Sequence, residues 1–173
     1  MKGMGVNPRE RRLVADHFQM RELSEREQIS FEAKGDPPES YEVEISVPGL
    51  ALDGRRLVRR EQHAFEVYLH RDYPRRPPVI TWKTPVYHPN LLGPERNGGV
   101  CIGAWRASES LADLMTRLKD LVSYRSFSLS DALDTDAASW VSRFELRPGF
   151  NISEVLGVDV KEPDEAVKVE VRG

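Results

Sequence analysis

The sequence predicts an α+β fold: an N-terminal helix, a four-stranded antiparallel meander, a proline-rich loop, two further helices and a β-like tail. Three observations carry this. The hydrophobic period shifts from helical to alternating after the first segment, and the alternating runs follow one another with no helix between them. Helical period then returns beyond a stretch dense in proline and glycine.

Asn7-Pro8 starts the first helix, with Asn as N-cap and Pro at the first helical position. The helix is expected to run to about Leu23, with Val14 and Phe18 on one side and Arg9, Arg11 and Arg12 along its exposed face. Ile29, Phe31 and Ala33 then alternate with polar residues as a half-buried strand. Tyr41, Val43, Ile45 and Val47 do so against Glu42, Glu44 and Ser46, and Pro48-Gly49 is expected to end that strand. Phe65, Val67 and Leu69 make a third strand and Val79 to Trp82 a fourth.

Asp72 to Cys101 holds Pro74, Pro77, Pro78, Pro85, Pro89 and Pro94 with Gly93, Gly98 and Gly99. A long irregular stretch inside a compact domain is usually functional or disordered. Its aromatic residues Tyr73, Trp82 and Tyr87 argue for the packed alternative. Beyond it, Leu111, Leu114, Met115, Leu118, Leu121 and Val122 form an amphipathic stripe, and Ser110 with Asp113 resembles a capping box. A last helix is expected from near Asp134 to Phe144, burying Ala137, Ala138, Val141 and Phe144 and stopping before Pro148-Gly149. Val158, Val160, Val167, Val169 and Val171 then alternate with polar residues, as in a hairpin or a strand added to a sheet edge. The domain is accordingly placed at 1–145, with 146–173 as a C-terminal extension.

With 39% hydrophobic and 31% charged residues, the 173-residue chain reads as an ordinary soluble domain. A net charge of −3 offers no basic field for nucleic acid or an anionic membrane. No apolar run approaches the roughly 20 residues needed to span a bilayer. Met1 to Val6 lacks the apolar stretch of a secretory signal, and a lone cysteine suits a reducing compartment, so cytoplasmic residence is expected.

The chemistry narrows by elimination. His17, His63, His70 and His88 are scattered and the one cysteine has no CxxC partner, so no zinc site is legible. Neither a phosphate-cradling glycine pattern nor a GxSxG elbow occurs. What remains is Cys101, after Asn97-Gly98-Gly99-Val100. Alone, such a cysteine reads more readily as a small buried apolar residue than as a nucleophile.

Its neighbours shift that balance. Tyr73-Pro74-Arg75-Arg76-Pro77-Pro78-Val79, then Tyr87-His88-Pro89-Asn90, then Gly99-Val100-Cys101-Ile102, resemble the motifs of the ubiquitin-conjugating enzymes in order and in context. The resemblance covers roughly residues 8–145 and implies a transferase. Cys101 would take a ubiquitin-like modifier from an activating enzyme as a thioester and pass it to an acceptor amine, such as a lysine. The resemblance places the amide of Asn90 near the thioester carbonyl, as an oxyanion donor or a brace for the loop; from sequence alone it also fits a turn asparagine. His88 is read as structural support.

An acceptor lysine, with a reference pKa of about 10.4, must be oriented and deprotonated. The family uses an aspartate for this, which maps onto Asp131, with Asp134 as a rival; a helix N-terminal charge is the other reading of Asp131. By the same resemblance Arg9, Arg11 and Arg12 would meet the activating enzyme, and Tyr73, Pro74, Pro77, Pro78 and Trp105 a ligase or acceptor protein. No metal and no organic cofactor of the chain's own is implied, ATP being used by the upstream activating enzyme. Some relatives keep the fold without catalysis and only bind a modifier or partner, which is the alternative.

Four departures stand out: a longer stretch from Asn90 to Cys101, a shorter one from Cys101 to the next helix, Ala132 where the family has proline, and a valine-rich tail in place of the usual last helix. They imply a divergent member, prokaryotic in origin, acting on a ubiquitin-like protein.

Overall fold

The structure, a computed structural model, describes residues 5–160. Helix α1 spans Pro8–Arg26, and Asn7 caps it by accepting the Arg9 N–H at 2.9 Å. Strands β1 (Ile29–Gly35), β2 (Pro38–Asp53), β3 (Arg56–Tyr68) and β4 (Val79–Trp82) form one antiparallel sheet in sequential order. Helices α2 (Leu111–Val122) and α3 (Thr135–Arg143) follow, with 3-10 turns at Pro94–Arg96 and Ile152–Glu154. The expected fold class is therefore found, and no described helix is long and apolar enough to cross a membrane.

Alternation places Tyr41, Val43, Ile45, Phe65 and Val67 on the inner face of the sheet, where α1 and α2 cover them. From α2, Leu111, Leu114, Met115 and Leu118 are fully buried there, each worth about 1.5–3 kcal/mol in removed apolar surface. Ser110 and Asp113 close both bonds of the anticipated capping box.

Three expectations change. Pro48-Gly49 does not end β2; the register shifts between Ser46 and Gly49, and the strand resumes as far as Asp53. Proline is tolerated because a bulge leaves one residue unpaired. Helix α1 turns the other way: Leu13, Asp16 and Met20 are its buried positions, whereas Val14 is 55% and Phe18 61% exposed. Arg9 and Arg12 reach inward, and of the three arginines only Arg11 stays exposed.

No α-helix follows α3 among the described residues. Leu146 to Val160 instead pack beside α3 in a second apolar cluster around Leu50, Leu57, Tyr124 and Trp140. Val158 and Val160 flank a short antiparallel bridge to the start of β3, where the Leu57 N–H donates to the Val158 carbonyl at 3.0 Å. Val167, Val169 and Val171 lie outside the described residues.

One buried carboxylate joins three elements. Asp16, 1% exposed, accepts from Tyr73 Oη at 2.6 Å, Arg12 Nε at 2.8 Å and the Leu111 N–H at 3.0 Å. Asp16→Ala strands those donors in the core, so equilibrium urea unfolding is expected to show a loss of about 3–5 kcal/mol.

Candidate active site

Cys101 sits on a short antiparallel pairing formed by the chain itself. Leu91 bridges Val100, the Leu92 N–H donates to the Gly99 carbonyl at 2.8 Å, and the Cys101 N–H donates to the Asn90 carbonyl at 2.9 Å. Its thiol is half-buried. The extra residues after Asn90 are taken up in a compact 3-10 turn, with Asn97 and Gly98 both left-handed at φ 65° and 61°. They leave Asn90 opposite Cys101. Gly98 cannot be replaced easily, because a Cβ there would lie 2.3 Å from the Trp82 carbonyl oxygen.

Asn90 is buried, and its side chain is committed to the loop ahead of α3. Its Oδ1 accepts the Ser128 N–H at 2.8 Å, and Nδ2 donates to the Ser128 carbonyl at 2.8 Å and more weakly to that of Asp131 at 3.4 Å. Both amide protons are thereby directed at backbone carbonyls of that loop. The Pro89 carbonyl adds to it by accepting the N–H groups of Leu133 and Asp134 at 2.8 and 3.0 Å.

The Asn90 N–H in turn donates to His88 Nδ1 at 2.9 Å, which leaves the ring proton on Nε2. His88 is fully buried, 4.5 Å from the Tyr124 ring centroid. Burial pushes its pKa down to about 3, with the Ser126 and Leu121 carbonyls opposing the shift. A neutral, buried imidazole suits a support for the loop.

The carboxylate of Asp131 is exposed and accepts from Ser128 Oγ at 3.3 Å. Asp134 is placed differently. Buried, it caps α3 through the Ala137 N–H at 3.0 Å and pairs with Arg96 of the enlarged turn at 2.5 Å. Both of its carboxylate oxygens are thus engaged.

The segment leaving Cys101 is pinned from both helices. Arg117 of α2 donates to the Ile102 carbonyl and, at 3.1 Å, to that of Ala104, while a bidentate contact with Glu109 holds it at 2.6 and 2.8 Å. Arg12 of α1 reaches the Ala107 and Glu109 carbonyls. Trp105 donates Nε1–H to the Pro74 carbonyl at 2.8 Å and lies beside the Tyr73 ring. Tyr73 and Pro78 are buried and Pro74 partly so, whereas Arg75, Arg76 and Pro77 are exposed. Among the described residues no group of three or more His, Cys, Asp or Glu side chains is placed to hold a metal ion.

Cys101, Asn90, His88 and Asp131 thus form one hydrogen-bonded chain, and Tyr73, Pro74 and Trp105 form a second group that Arg12 ties to α1. Sequence reasoning missed Asp16, Arg117 and Ser128. Asp16 had a signal: it lies three after Leu13 and four before Met20, a carboxylate within the buried stripe.

The family model for ubiquitin-conjugating enzymes matches residues 20–145, and the chain belongs to that family. Ubiquitin-conjugating enzyme E2 T of Bos taurus is 37% identical over 65 residues, covering 33% of this chain and 32% of that protein. Its Homo sapiens counterpart is 36% identical over 66 residues, covering 34% and 32%. The aligned chain thus spans about a third of these curated relatives' length. A solved structure titled novel ubiquitin-conjugating enzyme superposes with a TM-score of 0.57 at 19% identity, over 78% of this chain and 85% of that one. Human ubiquitin-conjugating enzyme E2 G1 does so with a TM-score of 0.50 at 24% identity, over 68% and 98%. At those identities the structures speak for the fold.

The histidine makes a prediction about pH. With a folded pKa near 3 and an unfolded value near 6.5, the unfolded chain binds the extra proton between them. Stability is therefore present in full above about pH 6.5 and declines as pH falls toward 3, by up to about 1.4 kcal/mol per pH unit. Urea unfolding of the unmodified chain and His88→Gln between pH 7 and 4 is expected to show the shallower slope in the variant.

Proposed function

We propose that this chain is an active conjugating enzyme: it accepts a ubiquitin-like modifier from an activating enzyme as a thioester on Cys101 and transfers it to an acceptor amine, that of a lysine. The observation that carries the reading is the half-exposed Cys101 thiol held by its own N–H against the Asn90 carbonyl, within a loop that Asn90 braces. In the transfer the neutral acceptor nitrogen attacks the thioester carbonyl, an amide bond forms, the carbon–sulfur bond breaks, the Cys101 thiolate leaves, and the proton shed by the nitrogen passes to water. Asp131, exposed on the braced loop, is assigned to orienting the acceptor amine, and Asn90 to holding that loop.

The catalytic domain is taken as 1–145 and 146–173 as its extension, with no metal or organic cofactor and with ATP spent by the activating enzyme. The chain's partners are that enzyme, the modifier and a ligase or acceptor protein meeting the Tyr73–Pro78 loop and Trp105. The reading includes a cytoplasmic setting and, from the longer Asn90–Cys101 stretch and Ala132, a divergent and prokaryotic lineage.

Incubation with ATP, modifier and activating enzyme, for ubiquitin and ubiquitin-like proteins in parallel, is expected to give an adduct that reducing agent cleaves and Cys101→Ser abolishes. Modifier binding without any such adduct would favour a binding module and sink the enzyme reading. Asn90→Ala and Asp131→Ala are each expected to slow discharge onto free lysine by about tenfold or more while charging persists. Because both act through one loop, the double variant is expected to fall short of the product of the single effects.

A further inference from the structure

The loop that carries Asp131 is fastened firmly at its ends and lightly in its middle. At its start Asn90 bonds the Ser128 N–H and the Ser128 carbonyl, each at 2.8 Å. At its end the Pro89 carbonyl takes the N–H groups of Leu133 and Asp134 at 2.8 and 3.0 Å. Between them Leu129, Ser130 and Asp131 are exposed. The bonds there are longer, 3.4 Å from Asn90 Nδ2 to the Asp131 carbonyl and 3.3 Å from Ser128 Oγ to the Asp131 carboxylate.

The 3-10 turn at Pro94–Arg96, on the stretch joining Asn90 to Cys101, adds a further fastening. Arg96 Nη2 donates to Asp134 Oδ2 at 2.5 Å, an ion pair between residues 38 positions apart. The Arg96 backbone is held in turn, because the N–H groups of Arg96 and Gly98 both donate to the Gly93 carbonyl at 3.0 Å. Leu133 also rests on this stretch: a Cβ on Gly99 would lie 3.7 Å from its Cδ1. The chain leading to the nucleophile therefore grips the far end of the Asp131 loop.

We infer that Arg96 is a positioning residue for transfer: through Asp134 it fixes the end of the 128–134 loop, and with it the place at which Asp131 meets the acceptor amine. The inference rests on the proposed conjugating function and adds a residue to its second step. Helix capping does not account for Arg96. The cap on α3 is made by Asp134 Oδ1 and the Ala137 N–H, and an asparagine oxygen would serve it as well. A cation beside a helix N-terminus gains nothing from the dipole. Helix α3 is held besides by Ala137, Trp140 and Val141 in the second apolar cluster. What the ion pair does join is the Cys101 segment to the loop, where a displacement of about 1 Å can cost on the order of a hundredfold in rate.

The test is single-turnover discharge onto free lysine of the Cys101 thioester, formed with the activating enzyme and modifier that charge the unmodified chain. Arg96→Ala is expected to slow discharge about tenfold, and Arg96→Lys, which keeps a cation in place, to recover part of that loss. Asp134→Asn keeps the capping oxygen and gives up the charge; it is expected to match Arg96→Ala, and the pair together to add no more than about twofold. In an Asp131→Ala background, Arg96→Ala is expected to change the rate by no more than about twofold, because its effect runs through that carboxylate. Circular dichroism checks that each variant folds. Discharge of Arg96→Ala or Asp134→Asn at the unmodified rate overturns the inference while the conjugating function stands. So do effects of Arg96→Ala and Asp131→Ala that multiply in full, which would mean that Arg96 acts apart from Asp131. If no activating enzyme charges the unmodified chain, the function and this inference fall together.

Discussion

The Asn90 peptide is the constraint on which the site depends. Its carbonyl accepts the Cys101 N–H, its own N–H is accepted by His88 Nδ1, and its side chain closes on both backbone groups of Ser128. Three segments distant in sequence thereby share one residue. Each of these bonds engages a backbone group, and that from the Asn90 N–H to His88 is buried, where an unmade bond costs about 1–3 kcal/mol. The arrangement tolerates the enlarged turn that follows because Leu92 pairs again with Gly99, so the added residues loop out beyond the pairing.

Asp16 plays the corresponding part on the other side. A lone buried carboxylate would be costly, and this one is retained with a guanidinium, a phenol and the first N–H of α2 around it. It fixes α1, the proline loop and α2 to one another. Tyr73 and Trp105 are drawn into the same assembly, through Arg12 and the Pro74 carbonyl.

The inversion of α1 shows how a helix can be legible in extent and illegible in facing. Its cap and proline start were clear from Asn7-Pro8, yet mean apolarity does not say which stripe is inward when Val14 and Phe18 compete with Leu13 and Met20. Long arginine side chains can lie along a buried surface and reach carbonyls beyond it, so charge alone did not mark the solvent side. Asp16 resolves the competition, because only the Leu13–Met20 face brings it to the α2 N-terminus and Tyr73.

Local pattern determined the element order of this protein: the alternation through Tyr41–Val47 and Phe65–Leu69, the Leu111–Val122 stripe and the Ser110–Asp113 cap are all found as strands, helix and cap. Those features depend on neighbours a few residues apart, which a sequence displays directly. The motifs around Asn90 and Cys101 likewise marked the family without any coordinates. Tertiary structure decided what depends on distant partners: that β2 continues past Pro48-Gly49, that Asp134 is spent on Arg96 and α3, and that Asn90 braces Ser128. Each of those outcomes is a competition among hydrogen-bond partners up to 41 positions apart, and only the folded chain brings the competitors together.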